Sequence, residues 1–326
     1  MGEALIDVDA NLKWLDNVCN FYAKGKEIYD GCARILAESP GSELIVSPAN
    51  LGDTVFIATL SVAYKKAHGV KNLLIAAKQR QAEAAEWFEG VDGILGLDDL
   101  EMMYLRYYFT ISRNYYANGI RYGHVPGYVD YNYPDTFFHI PPGFSGMSLM
   151  SVWEKRILDI PEHSETCNIR IPEGISSARA DEYRNAVLIA PAAFTNRGIP
   201  DSFWEKLSEA IIQRGHRVYC NSGGLQYYKL IQGTSELVLS TKELIVNAPL
   251  FKHVIAVRSG FTDLVTKTDA SMTVLHLGET QGMPLAIEYG TRDDDVRDLG
   301  RMEGIFPVLY DAEREDELIS MILDKI

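Results

Sequence analysis

The feature that most limits how this chain can fold is a hydrophobic period that switches between helix and strand, twice over. From residue 44, the short apolar run Leu44-Ile45-Val46 leads to an apolar helical stretch from Thr54 to about His68, closed by Gly69. Leu73-Leu74-Ile75 reads as a second strand, Arg80 to Phe88 as a helix, and Ile94-Leu95 as part of a third strand. Strand and helix alternating at this spacing predict a parallel sheet with right-handed crossovers.

The alternation restarts at Val187-Leu188-Ile189-Ala190. A helix follows from Asp201 to Arg214, with Phe203, Trp204, Leu207, Ala210 and Ile211 on one face and Gly215 as its stop. Val218-Tyr219-Cys220 is the next strand, and Ser240-Thr241-Lys242-Glu243 has capping-box spacing. Val254 to Val257, Thr273 to Leu277, Leu285 to Tyr289 and Pro307 to Tyr310 supply further strands, and Glu313 to Ile326 a closing amphipathic helix. The chain reads as two Rossmann-like halves.

What precedes and separates the halves differs in pattern. Leu12, Leu15, Val18, Cys19 and Tyr22, then Ile28, Cys32, Ile35 and Leu36, recur at helical spacing and predict two helices broken near Gly25 and ended by Ser39-Pro40-Gly41. The stretch from Tyr104 to Phe138 is dense in tyrosine, and Pro126, Pro134, Pro141 and Pro142 interrupt it and its continuation. Irregular structure is expected there, then a helix near Ser151–Leu158 and a linker around Pro172–Ala180. The expected division is a helical extension over 1–42, a first Rossmann-like domain over 43–180 with an irregular Tyr-rich insertion, and a second over 181–326. The last helix is expected to be able to pack back on the first domain.

Composition narrows the function. A chain of 326 residues with 47% hydrophobic and 23% charged residues can bury sizeable cores. Its net charge of −14 argues against nucleic acid as a partner and against a polybasic lipid anchor, leaving only peripheral membrane contact through a local patch. Four cysteines without C-x-x-C spacing read as free thiols of a reducing compartment. With no secretory signal and no run of about 18 apolar residues, a cytoplasmic location is expected.

In open α/β sheets, ligands bind beyond the carboxyl ends of the strands, so the loops leaving strands carry the chemistry. Gly52-Asp53 follows the first strand: the glycine lets a substrate approach the backbone, and the carboxylate either accepts a proton or caps the next helix. Thr195, Asn196 and Arg197 follow the strand at Val187–Ala190 and can hold an anion, or form a solvated loop. Arg258-Ser259-Gly260, with Asp263 in the helix behind it, pairs a tight turn with a helix N-terminus, a plausible diphosphate cradle.

Together these loops resemble the bacterial ADP-heptose:lipopolysaccharide heptosyltransferases, glycosyltransferase family 9, whose opening strand, L-G-D motif and apolar helix are matched by Leu44 to Leu60. Their loop with a basic residue, a proline and a helical tryptophan is matched by Arg197, Pro200 and Trp204. Their D-T-G-x-x-H is matched in position by Arg258-Ser259-Gly260 and Asp263, with Arg258 replacing an aspartate and Asp263 a histidine. The resemblance covers 44–97 and 187–280. It implies a GT-B fold, two Rossmann-like domains facing each other across a cleft. It also implies inverting transfer of a sugar from a nucleotide-sugar donor to a glycan or glycolipid acceptor, without metal or cofactor, in bacterial surface polysaccharide or lipopolysaccharide synthesis at the inner face of the membrane. By position Asp53 would be the base, with Thr195, Asn196, Arg197, Arg258, Ser259, Gly260 and Asp263 about the diphosphate. The alternatives are a GT-B module that binds sugar nucleotides or protein partners without catalysis, and a nucleotide-sugar epimerase.

Other motifs read as background. Asp293-Asp294-Asp295 lies among Arg292, Arg297 and Asp298 and reads as a solvated loop rather than a metal–diphosphate motif. The seven histidines show no paired ligand spacing. The tyrosines from Tyr104 to Tyr133 serve packing or a sugar-stacking surface. Asn221-Ser222-Gly223-Gly224 is a turn, or approaches a nucleotide.

Overall fold

The computed structural model describes residues 8–124, 149–191, 199–221, 230–277 and 303–326. Helix α1 (Val8–Ala37) is one unbroken element rather than two. Gly25 does not break it: a Cβ there would lie 2.1 Å from the Tyr104 carbonyl oxygen, so the missing side chain lets another helix press close. Strand β1 (Ser42–Val46) follows, then α2 (Leu51–Thr59) and α3 (Ser61–His68), where one helix from Thr54 is expected. Gly69 closes α3 in the left-handed region at φ +68°.

Next come β2 (Asn72–Lys78), α4 (Gln79–Ala85) and β3 (Gly93–Leu97). The Tyr-rich stretch then begins as a regular helix, α5 (Asp99–Ser112), where irregular structure is expected. It is nucleated by a capping box: Glu101 N–H donates to Asp98 Oδ1 and Asp98 N–H to Glu101 Oε2. Two short strands, β4 (Tyr116–Ala117) and β5 (Ile120–Tyr122), form a hairpin about Asn118-Gly119. Helix α6 (Leu149–Val152) continues as a π-helical segment, Trp153–Leu158, as expected, and Trp153 stacks on Phe56 of α2.

The first sheet has the order β3-β2-β1-β5-β4, parallel except for the hairpin. Along β1 the side chains alternate. Leu44 and Val46 face a core with Tyr29 and Cys32 of α1 and Met102 and Leu105 of α5, while Ile45 faces α2 and α3. The first helix is therefore a full layer of this half, not an appendage.

A largely exposed stretch over 172–179 leads to α7 (Ala180–Tyr183) and the second sheet. Its elements are β6 (Ala186–Ala190), α8 (Asp201–Gln213), β7 (Arg217–Cys220), β8 (Ser235–Glu236), α9 (Thr241–Asn247), β9 (His253–Val257), α10 (Gly260–Thr266), β10 (Met272–Leu277) and β11 (Ile305–Tyr310). Their order is β11-β10-β9-β6-β7-β8, all parallel. Val46 and Val187 thus lie in separate sheets. The capping box at Ser240 is present, with Ser240 N–H donating to Glu243 Oε2 at 2.8 Å. The C-terminal helix (Glu315–Leu323) buries Leu318, Ile319, Ile322 and Leu323 with Phe203 and Leu207 of α8, so it covers the second sheet and does not return to the first. The strand expected at Leu285–Tyr289 lies outside the described residues.

The two sheets face each other through helices. α2 and α4 of the first half meet α10 and α9 of the second, and one continuous apolar core joins Ile45, Val55 and Ala84 to Leu188, Ile245 and Val265.

One buried group makes this core sensitive to acid. His253, fully buried on β9, hydrogen-bonds Ser271 Oγ at 2.9 Å and Thr273 Oγ1 at 2.8 Å, and burial lowers its pKa to about 4. An unfolded histidine titrates near 6.5, so the unfolded chain binds this proton first as pH falls. The neutral imidazole's contribution is therefore complete above about pH 6.5 and is lost as pH drops toward about 4. Urea unfolding at pH 7 and pH 5 should show about 2 kcal/mol more loss in the natural chain than in His253→Asn.

Candidate active site

The site is built where the chain leaves β1. Ser47 N–H continues the ladder to the Ala76 carbonyl, and Ser47 Oγ lies 2.8 Å from Thr54 Oγ1 in a buried contact that ties the loop to α2. Asn50 precedes the helix, and its backbone N–H donates to Asp53 Oδ2 at 2.7 Å. Asp53 therefore does cap α2 from the first turn, where the helix dipole favours a carboxylate. Its second oxygen, Oδ1, points elsewhere, lying 3.9 Å from Nε2 of His124.

His124 arrives from β5. That strand pairs with β1 in the register Val46↔Tyr122, and Gly123 N–H extends the ladder by donating to the Val46 carbonyl at 2.7 Å. A Cβ on Gly123 would stand 2.7 Å from both Ile45 and Ile57, so the chain is pinned to the sheet immediately before the histidine. Tyr122 turns its ring edge-on to the imidazole, and burial pushes its phenol up to about 12, so it stays protonated. A carboxylate and an imidazole thus meet at the carboxyl end of the first sheet. Sequence reading overlooks His124, because a three-residue strand at the edge of a tyrosine-rich stretch leaves little periodic trace.

Across from this pair stands the turn between β9 and α10. Ser259 N–H donates to Thr262 Oγ1, whose hydroxyl donates back to the Ser259 carbonyl. Arg258 is turned inward: its Nη1 lies 2.7 Å from Asp263 Oδ1 and 3.2 Å from the Ser259 carbonyl. Asp263 is 2% exposed. Its carboxylate pairs with Arg258 inside the protein.

The two glycines of these motifs also have a packing role that the sequence alone does not suggest. A Cβ on Gly52 would fall 2.6 Å from Asp263 Oδ2 and 3.3 Å from Gly260 Cα, and one on Gly260 would fall 2.4 Å from the Gly52 nitrogen. Each glycine makes room for the other. The first turns of α2 and α10 approach closely there.

Thr195, Asn196 and Arg197 lie outside the described residues, as do Ser222 to Gly224 and Asp293 to Asp295. The chain enters 192–198 from β6, which pairs with β9 in the register Ala190↔Ala256. Trp204 is buried in α8 as a core residue. Among the tyrosines, Tyr104, Tyr107 and Tyr108 pack on Phe21, Tyr22 and Tyr29 of α1 and serve packing. Among the described residues no three His, Cys, Asp or Glu side chains gather about a point that would hold a metal ion, and no helix is long and apolar enough to cross a membrane.

Two facing Rossmann-like halves, with the segment leaving β1 brought against the turn leaving β9, have the architecture of the GT-B class of glycosyltransferase fold. Solved structures of that fold match most of the chain. A glycosyl transferase of family 9 from Veillonella parvula is 10% identical with a TM-score of 0.55, over 85% of this chain and 90% of its own. The E. coli ADP-heptose lipopolysaccharide heptosyltransferase II is 10% identical at 0.56, over 87% and 98%. E. coli heptosyltransferase WaaC, solved with ADP-2-deoxy-2-fluoro heptose, is 11% identical at 0.53, over 87% and 100%. No family model and no curated protein matches the sequence.

The glycine pair gives a direct test of the helix crossing. Gly260→Ala meets backbone, which cannot swing aside, and should cost about 1–3 kcal/mol, measured as a lower urea midpoint with an unchanged slope.

Proposed function

We propose that this chain is a glycosyltransferase of the heptosyltransferase type, moving a sugar from a nucleoside-diphosphate donor to a hydroxyl of a bacterial surface glycan or glycolipid with inversion. The observation that carries this reading is Asp53. It stands just beyond the carboxyl end of β1 with one oxygen fixed by Asn50 and the other 3.9 Å from Nε2 of His124. That is where a base must stand to serve an acceptor bound by the first half and a donor bound by the second.

In this reading Asp53 takes the proton of the acceptor hydroxyl as its oxygen bonds to the anomeric carbon. The anomeric C–O bond breaks on the opposite side, and its electron pair leaves with the nucleoside diphosphate. That departing charge requires fixed positive donors. Arg197, Thr195 and Asn196, which follow β6 in the sequence, and the Ser259-Gly260 turn serve it. Arg258 adds its positive charge beside that turn. Cationic side chains and helix-end amides suffice for the leaving group, so the mechanism uses no metal and no cofactor. The acceptor is presented in the cytoplasm, at the inner face of the membrane. ADP-heptose is the first donor to try, since a structure of this fold was solved with its fluoro analogue.

Two variants test the reading. Asp53→Asn keeps a side-chain oxygen for the Asn50 N–H and should melt close to the natural chain, yet slow transfer by roughly 10²–10⁴-fold, about 3–5 kcal/mol of barrier. Arg197→Ala should weaken nucleoside-diphosphate binding by about 1.5–3 kcal/mol in calorimetry. Full activity in the first variant removes Asp53 as base, and unchanged affinity in the second removes residues 195–197 from the donor site.

A further inference from the structure

We propose that His124 is a positioning residue for Asp53, setting the orientation of its carboxylate toward the acceptor hydroxyl; this rests on the reading of Asp53 as the base. The argument begins with what one hydrogen bond can do. Asn50 N–H holds Oδ2 at 2.7 Å, which fixes that oxygen but leaves the carboxylate plane free to pivot about it. A base needs the plane fixed too, because proton transfer depends on which lone pair meets the hydroxyl. A second donor near Oδ1 supplies that restraint.

His124 Nε2 is 3.9 Å from Oδ1, with the two side chains 14% and 22% exposed. The separation is too long for a hydrogen bond, as is common for catalytic contacts that tighten only once substrate is bound. What singles out this histidine is how firmly its backbone is placed. The β1–β5 register, the Gly123-to-Val46 ladder bond and the lack of room for any side chain at 123 fix its Cα against the end of β1. Tyr122 limits the ring from one side. The strand that delivers the helper is hydrogen-bonded to β1, the strand that leads into the helix carrying the base.

The test compares His124→Leu, His124→Gln and Asp53→Asn with the natural chain. Each is assayed for ADP release from ADP-heptose, with and without deacylated lipopolysaccharide core as acceptor. Melting curves and ADP calorimetry accompany each variant. His124→Leu should lower kcat by about 10–100-fold with the KM for ADP-heptose, the ADP affinity and the melting temperature unchanged. His124→Gln keeps an N–H at the place of Nε2 and should recover most of the rate. If Asp53→Asn is slow while His124→Leu keeps full kcat, or if Gln does no better than Leu, the positioning role is overturned and the base assignment stands. If Asp53→Asn is as fast as the natural chain, or if that chain releases no ADP under any of these conditions, the functional reading fails and this inference fails with it.

Discussion

Everything in this structure depends on how closely the first turns of α2 and α10 approach. Two helix N-termini meet at Gly52 and Gly260, and each carries a partial positive charge that would push the other away. Asp263 answers this. Its carboxylate lies in the first turn of α10 and beside Gly52 at the start of α2, so one anion is shared by two helix ends. Arg258 then balances the charge, at 2.7 Å from Asp263. A buried ion pair of this kind contributes little net stability, but removing one partner would strand a charge in the interior. The departures from the heptosyltransferase pattern at 258 and 263 are therefore of opposite charge and form an ion pair with each other.

Because the helices cross there, the apolar surfaces behind them merge. Val55, Leu264 and Val265 belong to one core that runs from the first sheet to the second. A second contact reinforces it, with Thr241 of α9 donating to the Arg80 carbonyl of α4 and Lys242 lying over the Trp87 ring. Parting the two halves would expose this shared layer to water, at a cost that grows with the apolar area uncovered. The relative placement of Asp53 and the Arg258 turn is thus a property of the packed core.

Much of the framework was legible in the sequence, because buried parallel strands and capped helices leave local signatures. Leu44 to Val46 and Val187 to Ala190 are apolar runs that only a covered strand explains, and Ser240–Glu243 names its own helix start. The failures have a common cause. Gly25 looks like a helix break, but a glycine records only that something comes close, and the partner is distant in sequence. Helix α5 has the same capping-box signal at Asp98–Glu101 as α9 has at Ser240, hidden by the tyrosines that follow. Those tyrosines face α1, a partner no local window can see.

The site was legible to the same degree and for the same reason. Asp53 could be named from Leu51-Gly52-Asp53, but capping and base catalysis looked like rival roles. The structure removes the rivalry, since a carboxylate has two oxygens and the cap uses one of them. The cap bond even assists the second role, because it fixes the side chain that must present Oδ1. What could not be read was the neighbour of that oxygen. His124 lies 71 residues further along, on a strand recognisable only by its pairing with β1, and it is that pairing which delivers an imidazole to the carboxylate. Local sequence specifies where this carboxylate stands, whereas its surroundings are specified by the order of strands in the sheet.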